Sequence, residues 1–477
     1  MSDLWTGEAL VTATEGRPLG QMPGGIGGIS IDTRTLKTGD AFFAIKGDTL
    51  DGHDFASAAM AAGAGVLVVA EQKLPALGRI NTPMIVVPDV LQALEKTGMA
   101  ARARSSANVI AVTGSAGKTS TKEALRHALS SVGKVHASDK SFNNHWGVPL
   151  TLARLPEDAD YAVFEIGMNH AGEIRPLVKM VRPHVALVTL IAAAHLGHFH
   201  SLDEIAAAKA EIFEGIEPGG TALLNRDDQR WKLLDRLARE AGVEHVLGFG
   251  SHARANFKLV KCELEADGSA IVAKIGGREV AARIGAPGRH IVNNALSVLA
   301  VAELVGADIH KVAATLATLT LESGRGRRHE LVLPGGSLSL IDESYNANPA
   351  SMKAALELLQ AAPVEGSGRR IAVLGDMLEL GEHARKLHAG LAGLIKGKNI
   401  DLVLLAGPEM KALAEKLANG PKIEYRANVD ELKPVLMETV KAGDAVMIKS
   451  SKGVGFSKLV DALTNQFPAR AVNAKRA

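Results

Sequence analysis

Val109-Ile110-Ala111-Val112-Thr113-Gly114-Ser115-Ala116-Gly117-Lys118-Thr119-Ser120 decides the fold. A β-branched run stops at a glycine-rich turn, a lysine follows, and hydroxyl residues lead into a helical pattern over residues 121–129. Such a turn aims several backbone N–H groups inward beside a helix N-terminus, which favours a polyphosphate. On that reading Gly114, Ser115, Ala116, Gly117 and Ser120 line a phosphate cradle. Lys118 reaches the outer phosphates, and the Thr119 hydroxyl enters a Mg²⁺ shell. The letters are the short form G-x-x-G-K-T, because the long form G-x-x-x-x-G-K-[ST] needs glycine where Val112 stands. Letters alone also fit a plain βα turn with a surface lysine. The strand before and the helix after favour a nucleotide.

The 477 residues suggest about three domains. With 47% hydrophobic and 22% charged residues, the chain has apolar material for several cores. A formal net charge of +2 argues against a nucleic-acid partner. The basic run Arg325-Gly326-Arg327-Arg328-His329 is short, suited to an anion clamp or a solvated loop. The single cysteine, Cys262, excludes an intrachain disulfide and a cysteine metal cluster. Residues 1–8 lack the basic and apolar regions of a signal peptide. The most apolar stretches, 56–70 and 185–194, fall short of a ~20-residue membrane span. The expectation is a soluble, cytoplasmic protein with no membrane span.

Strand-like segments at 29–34, 41–45 and 66–70, with an alanine-rich helix at 55–62, form a first unit that ends in the polar stretch 102–108. After the glycine loop come strands at 161–166, 185–190 and 221–224. Helical patterns at 173–181, 202–215, 291–305 and 309–319 accompany them. Beyond the Gly/Arg segment 324–328, strands at 338–341, 371–374, 402–405 and 445–448 alternate with helices at 352–361, 384–395, 410–417 and 456–463. This rhythm predicts an α/β protein of three domains. They are a smaller N-terminal α/β domain (1–104), a central P-loop domain with a doubly wound, mostly parallel sheet (105–323), and a Rossmann-like C-terminal domain (324–477).

Polar residues gather where such sheets place ligands, at the C-terminal ends of strands. Glu165 ends one strand and His195 follows another; each alone is as well a satisfied turn residue. Behind a phosphate loop, an acid at a neighbouring strand end is placed to hold Mg²⁺ directly or through water. Lys209, in Ile205-Ala206-Ala207-Ala208-Lys209-Ala210-Glu211-Ile212-Phe213, is by composition a helix lysine. Pro287-Gly288-Arg289-His290 before Ile291-Val292-Asn293-Asn294 reads as a helix entry whose polar groups bond an adenine edge or only cap the helix. Asp342-Glu343-Ser344-Tyr345-Asn346-Ala347-Asn348-Pro349 ends a strand with dense polarity, and Arg328 in the linker before it is in reach of a phosphate. A loop of this type can close a cleft and supply stabilising charge.

Taken together, these segments resemble the Mur ligases over nearly the whole chain. The resemblance rests on Thr113 through Thr119, on Asn143-Asn144 leading to Gly147-Val148-Pro149-Leu150-Thr151-Leu152, and on Glu165-Ile166-Gly167-Met168-Asn169-His170-Ala171-Gly172-Glu173-Ile174. Ala194-His195-Leu196 and the Lys209 segment continue it. Asp342 through Pro349 and Gly375-Asp376-Met377-Leu378-Glu379-Leu380-Gly381 are most like the member that adds D-alanyl-D-alanine to UDP-N-acetylmuramoyl-tripeptide.

The resemblance implies roles. Lys118 would bind the β/γ-phosphates of ATP, and Thr119 with Glu165 a first Mg²⁺. Glu165, His195 and a carbamylated Lys209 would surround a second, the carbamate turning a cation into an anionic oxygen ligand for a hard metal. Asn294 would face the adenine, with Arg328 and Asp342 clamping ATP. Ser30, Thr33, Arg34, Lys46 and the turn Asp51-Gly52-His53 would belong to the UDP-sugar site of the N-terminal domain. Asn143 and Asn144 would contact substrate, and Asn346, Ala347 and Asn348 would help place the dipeptide. The implied catalytic set is Lys118, His195, Lys209 and Arg328, in a monomer.

Two positions depart from the family pattern: His290-Ile291 stands for the usual His-Asn, and Lys449-Ser450-Ser451-Lys452 for the more common Lys-Gly-Ser-Arg, to which no role is assigned. Arg327 competes with Arg328, which is favoured by its spacing to Tyr345. The implied reaction is ATP-dependent amide formation through an acyl phosphate, releasing ADP and phosphate. A sibling that adds a single amino acid such as diaminopimelate is the rival within the class, and segment 344–349 argues against it. The rival outside the class is a P-loop nucleotide-binding module, which would need neither the N-terminal unit nor Lys209.

Overall fold

A computed structural model of the chain describes residues 3–78, 80–139, 141–194, 196–418 and 420–470. It is a mixed α/β protein with three sheets. The central sheet has nine strands. In spatial order they are Arg278–Ile284, Ser269–Ile275, Phe257–Leu264, His245–Gly250, Thr221–Asn225, Val185–Val188, Asn108–Thr113, Tyr161–Glu165 and Val135–Ala137. Asn108–Thr113 pairs in parallel with Tyr161–Glu165 on one side and Val185–Val188 on the other. The chain therefore leaves this strand toward one edge and later returns toward the other. Open α/β sheets bind ligands at that switch point, and here the glycine loop opens from it.

The first two strands in that order form an antiparallel extension. Between 224 and 291 only Cys262 was expected on a strand, with no range given, and it lies on Phe257–Leu264. Ser269–Ile275 and Arg278–Ile284 bury one face and wet the other, the period-2 alternation of an antiparallel extension. A second difference concerns the linker 324–328. Arg327–Leu333 is a strand paired antiparallel with Gly336–Glu343, with Arg327 opposite Asp342 and Arg328 opposite Ile341. That hairpin edges a six-stranded sheet continued in parallel by Ala445–Lys449, Arg370–Gly375, Leu402–Ala406 and Lys422–Arg426.

The N-terminal sheet has five strands, in the order Arg17–Leu19, Met84–Val87, Val66–Ala70, Ala41–Phe43 and Ile29–Ser30. It shares one apolar core with the central unit: Trp5, Phe43, Val68 and Leu94 pack in the same cluster as Leu150, Phe164, Leu177 and Phe213. Polar ties reinforce it. Trp5 Nε1 donates to Ala153 O at 2.9 Å, Arg154 Nε to Ile29 O at 2.7 Å, and Arg102 to the carbonyls of Val181 and Arg182. The six-stranded sheet instead has cores of its own on both faces. Burial of shared apolar surface thus fastens the first two units, while the third meets them through polar contacts, the weaker kind of joint.

Candidate active site

A cavity of about 490 Å³ lies between the glycine loop and the C-terminal sheet, within the usual size for a small-molecule site. Its floor is built by backbone geometry. Gly114 has φ 148° and Gly117 φ 85°, and a Cβ on Gly114 would stand 2.0 Å from Thr189 Oγ1. Thr189 donates that hydroxyl to Ala116 O at 2.6 Å, which fixes the turn from below. The helix Lys118–Leu129 follows at once, with Gly117 as its cap and no side-chain cap, so its first N–H groups face the cavity.

Lys118 Nζ donates to Gly114 O at 2.7 Å. Burial pushes its ammonium pKa down, and the charge of Glu165 works against that push. Thr119 Oγ1 lies 3.5 Å from Ser141 Oγ. Glu165, at the end of Tyr161–Glu165, accepts a 2.7 Å bond from Asn143 Nδ2 on Oε1, while Oε2 is buried without a partner among the described residues. Lys209, on the helix Leu202–Ala210, is fully buried and its Nζ likewise has no partner there. Burial, then the charge of Lys118, drives its pKa well below the ordinary lysine value. His195 lies outside the described residues.

From the C-terminal sheet come Arg325, Tyr345, Asn346, Ala347 and Asn348. Asn348 caps the helix Pro349–Ala361 by accepting from Ser351 N at 2.9 Å, and its Nδ2 donates to Ser115 O at 3.3 Å. The Asn346 and Ala347 carbonyls accept from Lys449 Nζ (2.9 Å) and Ser451 Oγ (3.3 Å), so their backbone is pinned. Asn294 lines the cavity, its Oδ1 3.0 Å from where a Cβ on Gly117 would stand. Beside it Asn293, one of the polar groups of the expected helix entry, holds a buried Oδ1 without a partner among the described residues.

Several expected residues are placed elsewhere. Arg328 does not line the cavity; its Nη1 donates to Ala266 O in the turn of the antiparallel extension. Once residues 327–333 pair as a strand, Arg328 is carried away along the hairpin, and Arg325, left in the turn, occupies the cleft instead. Asp342 is buried behind the cavity wall. Its carboxylate accepts from Gly324 N (2.6 Å), Ser323 Oγ (3.0 Å) and Ser344 Oγ (2.6 Å), so it shapes the Arg325 turn. Asn144 Oδ1 accepts from Gly147 N at 3.0 Å and turns the chain into the helix Gly147–Ala153, outside the cavity wall.

The N-terminal residues also lie outside the cavity. Asp51 takes Lys73 Nζ at 2.7 Å and His53 Nδ1 at 2.6 Å, while His53 Nε2 accepts from Ala70 N at 2.9 Å. With Nε2 an acceptor, Nδ1 carries the proton, so His53 donates to Asp51. Burial raises the Asp51 pKa, but the bonds from Lys73 and His53 outweigh it and hold the carboxyl well below the usual range. Gly52 is required because a Cβ would stand 2.7 Å from the backbone of Ala44 and Ile45. Ser30 Oγ bonds the backbone of Asp32, and Arg34 pairs with the Asp32 carboxylate at 2.7 Å. Thr33 is half-buried and Lys46 exposed, and a Cβ on neighbouring Gly47 would meet the ring of Trp146 at 2.8 Å, next to the Asn143 segment.

Among the described residues no group of three or more His, Cys, Asp or Glu is placed to hold a metal. The donors present are Thr119 Oγ1 and the unpartnered Glu165 Oε2. Both are hard oxygens of the kind that bind Mg²⁺ together with substrate phosphate.

Residues 25–129 match the Mur ligase family, catalytic domain, residues 112–302 the Mur ligase middle domain, and residues 327–452 the Mur ligase, glutamate ligase domain. The UDP-N-acetylmuramoyl-tripeptide–D-alanyl-D-alanine ligase of Rickettsia prowazekii (strain Madrid E) is 34% identical over 91% of this chain and 94% of its own length. The ligase of the same description from Escherichia coli (strain K12) is 35% identical over 91% and 93%. The crystal structure of MurF from Acinetobacter baumannii superposes with a TM-score of 0.83 at 29% identity, covering 97% of this chain and 99% of that one. That of MurF ligase from Thermotoga maritima in complex with ADP gives 0.76 at 25% identity, covering 92% and 97%. Matched over 91% of its length at 34–35% identity, the chain belongs to the Mur ligase family.

Proposed function

We propose that the chain is an ATP-dependent amide ligase that joins D-alanyl-D-alanine to UDP-N-acetylmuramoyl-tripeptide, releasing ADP and phosphate, in peptidoglycan precursor synthesis. The observation that carries this reading is the meeting, in one cleft, of the glycine loop with Arg325 and Tyr345 from the C-terminal sheet. A nucleotide-binding module would need no second wall of this kind. Residues 1–104 would hold the UDP-sugar, 105–323 the ATP, and 324–477 would close on the nucleotide and bring in the dipeptide.

In this reading the tripeptide carboxylate oxygen attacks the γ-phosphorus of ATP and ADP leaves. The dipeptide amine, having lost a proton, adds to the acyl phosphate carbonyl, and phosphate is expelled. Lys118 exchanges its bond to Gly114 O for the outer phosphates, and the backbone N–H groups at the helix start hold the rest. Arg325 adds positive charge from the opposite wall. Asn348, through Ser115 O, registers the two walls for in-line attack.

Thr119 and Glu165 would hold a Mg²⁺, which when bound neutralises phosphate charge. Lys209, with His195, would serve a second. The fit is chemical: burial and the Lys118 charge favour the neutral form of the Lys209 amine, and a neutral amine adds to CO₂ to give a carbamate and a proton. The carbamate then supplies the oxygens that an ammonium cannot. We read the protein as a cytoplasmic monomer; no described helix is long and apolar enough to cross a membrane. The test is to supply the UDP-tripeptide, ATP and D-alanyl-D-alanine, with diaminopimelate in a parallel arm. ADP, phosphate and a product heavier by one dipeptide unit are expected. AMP, or nucleotide turnover indifferent to the UDP-tripeptide, would overturn the reading.

A further inference from the structure

Among the described residues, four lysine or arginine side chains line the cleft: Lys118, Arg325, Lys449 and Lys452. Three are committed. Lys118 belongs to the phosphate loop. Arg325 bonds Ser141, whose hydroxyl neighbours Thr119, and so serves the phosphate end. Lys449 is only 2% exposed in its side chain and is neutralised by Glu343 Oε2 at 3.0 Å, with Asn346 O at 2.9 Å completing its shell.

Lys452 is different. It is exposed to the cleft, and no acidic side chain among the described residues pairs with it. Its Nζ lies 5.4 Å from the centroid of the Tyr345 ring, which the Arg325 guanidinium also approaches at 4.1 Å. Two cations on one ring attract the ring but repel each other, so the arrangement gains most from an anion between or beside them. The backbone that carries Lys452 is fixed. Ser451 N donates to Asp376 O at 3.0 Å, and Ser451 Oγ accepts from Leu378 N at 2.9 Å. An uncommitted charge on an anchored loop is a pre-formed half of an ion pair.

We propose that Lys452 binds the terminal carboxylate of the incoming dipeptide and makes a free carboxylate a requirement for the amine substrate. The proposal rests on the ligase reading above. The triphosphate and the tripeptide carboxylate react with each other at the Lys118 end. The dipeptide carboxylate takes no part in bond making and keeps its charge throughout, so it needs a cation that the phosphates do not use. Among the described residues Lys452 is the one left over.

The test compares D-alanyl-D-alanine with its C-terminal carboxamide in wild type, Lys452→Met and Lys452→Arg. Wild type should prefer the carboxylate by about 10- to 100-fold in kcat/KM, the usual yield of a charge-assisted hydrogen bond. Lys452→Met should lose that preference through KM for the dipeptide, with KM for ATP unchanged, and Lys452→Arg should retain most of it. A Met variant that still prefers the carboxylate overturns the proposal. So does a rise in its KM for ATP, which would assign Lys452 to the phosphates, or a wild type that accepts the carboxamide equally. If wild type forms no ADP with D-alanyl-D-alanine at all, the ligase reading itself has failed, an outcome separate from these.

Discussion

Arg325 Nη2 donates to the Ser141 hydroxyl at 3.0 Å, and the Tyr345 hydroxyl donates to the same oxygen at 3.1 Å. The C-terminal wall therefore touches the central unit one hydroxyl away from Thr119. Removing a pre-oriented cation from such a site should cost about 10²- to 10³-fold in kcat. Arg325→Ala is expected to show that loss. Arg328→Ala, which only frees the Ala266 carbonyl, should stay within a few-fold of wild type. Steady-state kinetics of the two variants side by side checks this, and the reverse ranking would return the clamp to Arg328.

Lys209 carries a pH signature. Its folded-state pKa is lowered by burial and by Lys118, so the folded protein binds fewer protons than the unfolded chain between that lowered value and the ordinary lysine pKa of about 10.4. Stability must then rise with pH through this window, at up to about 1.4 kcal/mol per pH unit, and fall as pH drops. Lys209→Met should flatten the rise when urea midpoints are compared in chelated, CO₂-free buffer. A difference between variant and wild type that does not depend on pH would mean that the amine is charged in the fold.

Activity gives a second reading of the same residue. Lys209→Ala should lose about 10²-fold or more in kcat, as expected when one electrostatic element of a site is removed. Short carboxylic acids should restore part of it by supplying the missing oxygens. Full activity in the unrescued variant would take Lys209 out of the mechanism.

Asn348 does two jobs that substitutions can separate. Serine caps a helix about as well as asparagine, whereas alanine costs about 1 kcal/mol. Asn348→Ala should therefore lower the melting temperature and raise KM for ATP, while Asn348→Ser should keep the melting temperature and lose only the contact to Ser115 O. Equal melting temperatures for both variants would show that the cap contributes nothing.

Gly114 tests the phosphate loop. A Cβ there meets Thr189 Oγ1 at 2.0 Å on a backbone with φ 148°, so the loop must move. Gly114→Ala should abolish ADP binding by calorimetry, with the far-UV spectrum unchanged because the strands on either side are secured by their own cores. ADP binding at wild-type strength would show that the cradle tolerates the shift.

The cradle was legible because each of its parts is local. A β-branched run, two glycines in positive-φ positions and a hydroxyl at a helix start are set by neighbouring residues, and Glu165 and Lys209 are placed on their strand and helix by the same short-range periodicity. The ranges of the antiparallel strands within residues 257–284 were not drawn from the sequence, although their period-2 alternation is itself a local signal. Arg325 and Arg328 lie three positions apart in one basic run, and nothing local distinguishes them; the pairing of residues 327–333 with 336–343 does. The Asp51–His53–Lys73 cluster has the same lesson, because nothing near Asp51 in the sequence shows that Lys73 and Ala70 reach it and His53 in the fold.

By itself, then, the order of residues determined the α/β architecture and the geometry of the phosphate loop, because φ, ψ and side-chain period are decided within a few residues. Only the tertiary structure decided which cations face the cleft and which are already neutralised, since register and desolvation depend on partners a hundred positions or more away: Lys449 on Glu343, Arg325 on Ser141, and Lys209 with no partner among the described residues.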